Sequence, residues 1–153
     1  MFISMFIFLF FYASGPDTKH ENLYPEYQLI LNEQKVTRIL ETLRKIESNG
    51  NYKAQGLSGE YGAYQFTLAS WNHWCMKTIG YVIDIKIPEN QDVIAEQKVR
   101  YLLFNDGLSV DQVASFWNSG CIHYAGRIGR NRHGIKYNVP KYVTNFIRTY
   151  ENT

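Results

Sequence analysis

Apolar residues at Val36, Ile39, Leu40, Leu43 and Ile46 recur at three- and four-residue steps, and at about 100° per residue they line one face of a helix. Glu47 falls on that same face, while Arg38, Glu41, Arg44 and Lys45 project elsewhere. The pattern predicts a helix that ends at Asn49-Gly50, a stop signal, with Glu47 in its last turn as the one charged side chain aimed inward. The glycine-rich stretch Ser58-Gly59-Glu60-Tyr61-Gly62-Ala63-Tyr64-Gln65-Phe66 follows and reads as a turn or a short hairpin. Thr67 then caps a short aromatic helix, and Pro88 opens a third in which Ala95, Val99, Leu102 and Leu103 share a face before Gly107. Ser109 and Gln112 form a capping box for a fourth helix that Gly120 closes. Residues 121–138 read as a basic loop carrying Arg127, Arg130, Arg132 and Lys136. A last helix follows at Pro140, its stripe made by Val139, Tyr142, Val143, Phe146, Ile147 and Tyr150. The fold class expected is mainly α, with one small irregular excursion after Glu47.

The position of Glu47 is a poor one for stability. A carboxylate there meets the negative end of the helix dipole, and an apolar surround disfavours its charged form. Both effects raise its pKa, and a carboxyl kept protonated near neutral pH is what a general acid for glycosidic bond cleavage requires. The bland alternative is a terminal Glu that fans out to solvent as the helix frays.

Composition narrows the rest. A chain of 153 residues with 45% hydrophobic and 20% charged residues is long enough to build one core. A formal charge of +2 gives no general argument for nucleic acid as a partner. Phe2 to Ala13 is almost uninterrupted apolar sequence, too short to span a bilayer, and is followed by the small residues Ala13, Ser14 and Gly15. Residues 1–15 therefore read as a signal peptide or short N-terminal anchor, which predicts export to the periplasm, the cell envelope or the exterior, with any membrane attachment made through that segment alone. Residues 16–33 read as a polar lead-in and 34–150 as the folded domain. Two cysteines, Cys75 and Cys121, permit one disulfide in an exported chain or two buried thiols. No His-Glu-x-x-His, Cys-x-x-Cys, phosphate-loop or Gly-x-Ser-x-Gly pattern occurs, so neither a metal nor a cofactor is called for.

Four short motifs, in this order, carry a resemblance: Glu47-Ser48, then Gly62-Ala63-Tyr64-Gln65-Phe66, then Ala114 with Trp117-Asn118 and Gly120, then Val139-Pro140 with Tyr142-Val143. Together they resemble the lysozyme-like soluble lytic transglycosylases, themselves similar to goose-type lysozyme, over residues 34–150. The resemblance implies a lysozyme-like fold, helices around a saccharide cleft with a small hairpin beside it, and a catalytic glutamate matching Glu47. It further implies that Ser48 steadies that carboxyl, Tyr64 and Gln65 line saccharide subsites, Asn118 holds the opposite wall, and Tyr142 points its hydroxyl at the acid. Cys75 and Cys121 fall where that fold brings the cleft walls together, which implies a disulfide between them. The substrate implied is the peptidoglycan glycan strand, cleaved at the β-1,4 bond between N-acetylmuramic acid and N-acetylglucosamine to leave a 1,6-anhydro end. A hydrolytic lysozyme on the same fold is the alternative, with Glu60 or Asp92 available as a second carboxylate although neither matches a catalytic motif. A catalytically idle wall-binding protein is a third reading. Where that family commonly has Ala-Tyr-Asn-Ala-Gly, this chain has Ser115-Phe116-Trp117-Asn118-Ser119-Gly120.

Overall fold

The computed structural model describes residues 25–130 and 134–153. Among the described residues five α-helices follow one another: α1 (Pro25–Ser48), α2 (Leu68–Thr78), α3 (Pro88–Arg100), α4 (Val110–Ser119) and α5 (Val139–Glu151). Tyr101–Asn105 continues α3 as a π-helical turn, and a two-stranded antiparallel ladder, β1 (Ile128–Arg130) with β2 (Lys136–Asn138), precedes α5. The mainly α expectation is met. The expected signal or anchor at 1–15 lies outside the described residues, and no described helix is long and apolar enough to cross a membrane.

Helix α1 packs against α3 and α5, α2 against α3, and α4 against α5. Ile39, Leu43, Ile94, Val99, Leu102, Val113 and Phe146 are fully buried where these faces meet. The caps read from the sequence form: the Thr67 hydroxyl accepts from the Ser70 amide, Ser109 and Gln112 make a reciprocal capping box, and Gly120 ends α4 in the left-handed region at φ 70°. Such caps satisfy the orphan amides and carbonyls that every helix end leaves open.

Three features differ from the sequence expectation. First, α1 begins at Pro25, so residues 25–33 of the expected polar lead-in are helical. Periodicity could not reveal this, because Tyr27, Leu29 and Ile30 are exposed; that half of α1 is tied to α3 by Arg100, which pairs with Glu33 and with Glu96. Second, the β-ladder lies within the basic 121–138 segment. The glycine-rich stretch makes only the isolated bridges Gln55 to Tyr61 and Tyr61 to Phe66. Third, Glu47 is not the sole charged residue of its helix turned toward the protein. The Arg38 guanidinium stacks 4.5 Å from the Tyr150 ring centre and donates to the Tyr150 carbonyl at 2.6 Å, joining α1 to α5. Arg44 donates to the Tyr52 hydroxyl at 3.1 Å and lies 3.8 Å from Asp92.

The expected disulfide is absent. Cys75 and Cys121 are free thiols. Cys75 is fully buried within α2, where the Ile83 backbone bonds to its sulfur and burial pushes the thiol pKa up. Cys121 sits beyond the α4 cap, its carbonyl accepting from the Ser115 hydroxyl at 2.6 Å. Each cysteine is held by its own local packing, with no bond between them.

Candidate active site

The end of α1 sets the position of the acid. Asn49 (φ 55°) and Gly50 (φ 80°) are both left-handed, and their amides return to the Lys45 and Arg44 carbonyls, so the chain turns sharply just after Glu47 and Ser48. The loop 51–66 then folds back over the helix end. Ser48 donates to the Ala63 carbonyl at 2.9 Å, and the Ala63 amide donates at 2.8 Å to Gln91, a buried side chain of α3. Gln91 also donates to the Tyr52 and Ile85 carbonyls, so one amide group ties three backbone segments together. Gly62 makes this possible. It lies at φ 87°, and a Cβ there would fall 2.1 Å from the Gln91 Oε1.

Glu47, Glu60 and Gln65 share a cavity of about 440 Å³ with Lys98 of α3 and with the aromatic face of α2 and α4. Trp74, Phe116 and Trp117 supply that face, and Asn118 stands at its exposed edge. Phe66 packs 5.3 Å from Trp117 and 5.4 Å from Trp71, centre to centre, which fixes the wall. Gln65 is left-handed at φ 50°, unusual for a residue with a Cβ, and it donates through Nε2 to the Gly62 carbonyl. Strain of this kind gathers at ligand-facing positions.

The Tyr142 hydroxyl donates to Glu47 Oε1 at 2.5 Å from α5. Asn138 caps that helix by accepting from the Lys141 amide, and Pro140 occupies its first turn, which starts the helix where its stripe brings Tyr142 onto the end of α1. Burial pushes the Glu47 carboxyl up to about 7. The Tyr142 hydrogen bond and the charge of Lys98 oppose that rise, and the charge of Glu60 adds to it. Tyr142 itself is raised well above the ordinary phenol range, first by burial and then by Glu47, so it serves as a donor.

The residues named from the sequence divide into two groups. Glu47, Gln65 and Asn118 line one cavity, and Tyr142 bonds to the acid as expected. Ser48 and Tyr64 do not take the places expected of them. The single hydroxyl proton of Ser48 goes to Ala63, so it anchors the loop instead of the carboxyl. Tyr64 is 1% exposed, donates to Asp92 at 2.8 Å and accepts from the Trp117 indole at its carbonyl, so it supports the wall from behind. Asp92 accepts from both Tyr52 and Tyr64 and is outside the Glu47 cavity, whereas Glu60 lines it. Lys98 was not anticipated. Only 4% exposed, it opens onto the cavity and lies 3.8 Å from the Trp117 ring centre. The chain matches no protein-family model, no curated protein and no solved structure in comparisons with all three.

Proposed function

We propose that this chain cleaves the β-1,4 bond between N-acetylmuramic acid and N-acetylglucosamine in peptidoglycan, with Glu47 as the general acid. The observation that carries this reading is Glu47 itself: a carboxyl in the last turn of α1, raised to about 7 by burial, bonded to Tyr142, and open to an aromatic-walled cavity. Such a group is still partly protonated at neutral pH and can release its proton to a leaving oxygen. The exposed amide of Asn118 and the strained Gln65 offer hydrogen bonds suited to acetamido and hydroxyl groups, and Trp117 offers a flat face to a sugar ring.

The first step passes the Glu47 proton to the glycosidic oxygen as its bond to the muramoyl anomeric carbon breaks, so that the N-acetylglucosamine leaves with a 4-hydroxyl and Glu47 is left as a carboxylate. That carboxylate then takes the proton of the muramoyl 6-hydroxyl as this oxygen bonds to its own anomeric carbon, giving a 1,6-anhydro end and restoring the acid. The nucleophile belongs to the reacting ring, so it has a high effective concentration without a second catalytic carboxylate. Glu60 favours a second reading. It lines the same cavity, and a hydrolase that inverts would use a second carboxylate to activate water.

The test is digestion of purified peptidoglycan followed by mass analysis of the fragments. The expected products are lighter by one water than reducing-end muropeptides, and Glu47→Gln should lower the rate by ~10²–10⁴-fold. Reducing ends, together with loss of turnover in folded Glu60→Gln, would establish the hydrolytic reading instead. Binding of glycan without cleavage, unchanged in Glu47→Gln, would overturn both.

A further inference from the structure

Lys98 lies on the inward face of α3, one turn from Ala95 and from Leu102, both fully buried. Its ammonium lies 3.8 Å from the Trp117 ring centre, 5.2 Å from that of Phe66 and 5.5 Å from that of Trp74. Among the described residues it makes no hydrogen bond, so the faces of three rings and the cavity surround it. Ring faces attract a cation, but they do not replace the hydration that an ammonium loses at this depth. A hydrophobic residue of the same length would fill the space at lower cost. The feature that sets this place apart is Glu47, whose charge acts on Lys98 across the same cavity.

We propose that Lys98 is a positioning residue for Glu47: held under Phe66, Trp74 and Trp117 at the cavity floor, its ammonium is the counter-charge that Glu47 meets whenever it gives up its proton. The catalytic part of this proposal rests on the reading of Glu47 as a general acid; the coupling of the two charges does not. Burial alone would leave Glu47 holding its proton but slow to give it up, because the carboxylate left behind would have no compensating charge. A cation on the same cavity lowers that cost. It makes the carboxylate accessible between the two proton transfers while desolvation keeps the acid protonated at the start. Burial also drives Lys98 down to about 7, and the charge of Glu47 opposes that fall, so each group supports the charged form of the other.

Few titratable groups face this pair. Facing Glu47 are Tyr142 from α5, Lys98 from α3 and Glu60 from the loop 51–66. Helix α2 contributes Ser70 and Trp74 to the cavity, and α4 contributes Phe116, Trp117 and Asn118, none of which titrates. Lys98 is the one cation in the set.

The test follows protons directly. Infrared difference titration against Glu47→Gln reads the Glu47 carboxyl without substrate, and in Lys98→Met its midpoint should move upward by on the order of one pH unit. The alkaline limb of the cleavage rate should move up with it, and the maximal rate should fall about tenfold or more as the carboxylate loses its partner. An unchanged Glu47 midpoint in folded Lys98→Met would overturn the proposal. Should Lys98→Met fail to fold, NMR of isotope-labelled lysine in the otherwise native chain measures the reciprocal effect: the Lys98 midpoint should fall in Glu47→Gln, and equal midpoints would overturn the proposal. Coupling found in a protein that leaves peptidoglycan intact would support the charge pair and reject the catalytic reading, so the two fail separately.

Discussion

Replacing Glu47 with Gln should change how stability depends on pH, and in a direction that the structure specifies. Glu47 rises from an ordinary value of 4.5 to about 7 on folding. Between those values the native chain keeps a proton that the unfolded chain has already released. Stability therefore falls as pH rises through this window, being complete below about pH 4.5 and lost above about pH 7. At about 1.36 kcal/mol per unit, the loss amounts to roughly 3–4 kcal/mol, a large share of the ~5–15 kcal/mol that holds a domain together. Lys98 acts in the opposite sense at higher pH. Lowered from 10.5 to about 7, it is deprotonated in the native chain while the unfolded chain keeps its proton, so its contribution grows as pH rises from about 7 toward 10.5. The wild-type protein should thus show a minimum of stability near neutral pH. Glu47→Gln keeps the shape of the side chain and an oxygen that can accept from Tyr142, yet it cannot ionise. Urea unfolding followed by tryptophan fluorescence, at closely spaced pH values from 4.5 to 7, should show the falling limb in wild type and a much flatter one in Glu47→Gln. Parallel profiles in the two proteins would refute the assignment of a buried, proton-holding carboxyl to Glu47.

Two further substitutions probe the supports of the site. Tyr142→Phe removes the donor to Glu47 Oε1 but keeps the ring in the α5 stripe beside Phe146; the protein should fold, the alkaline limb of its rate should move to higher pH, and turnover should drop about 10–100-fold, as befits a lost hydrogen bond to a charged group worth ~1.5–3 kcal/mol. Gly62→Ala would set a Cβ against Gln91 at a positive φ; a loss of ~2–4 kcal/mol is expected, read by calorimetry as a fall in Tm of about 5–10 °C for a chain of this size.

Much of the architecture was legible because it rests on short-range chemistry. The Ser109–Gln112 box, the Thr67 cap and the Gly120 stop are decided within four residues, and all three form. The link between Glu47 and Tyr142 joins helices far apart in the chain, yet both residues lie in clear apolar stripes, so each stripe already pointed its polar member at the core. Features set by tertiary pairing were hidden. The N-terminal half of α1 has no buried apolar stripe and is attached by an ion pair, which periodicity cannot register. The β-ladder pairs two three-residue segments whose burial is slight, so no alternation of apolar and polar positions marks it. Ser48 and Tyr64 were assigned by motif, and a motif carries residue types without saying which atom receives a single hydroxyl proton.

Lys98 shows where a signal was present and went unread. A lysine between Ala95 and Leu102 on one helical face is ordinarily taken to extend along apolar neighbours until its ammonium reaches water. Here the rings of Phe66, Trp74 and Trp117 close around the chain, and the route leads to the Glu47 cavity instead. The inward acid of α1 and the inward base of α3 break the same rule, each a charge set within an apolar stripe. Either alone would cost the fold several kcal/mol of desolvation. Their placement on one cavity relates the two exceptions: each lowers the cost of the other, which is the condition that the proposed two-step transfer sets for Glu47.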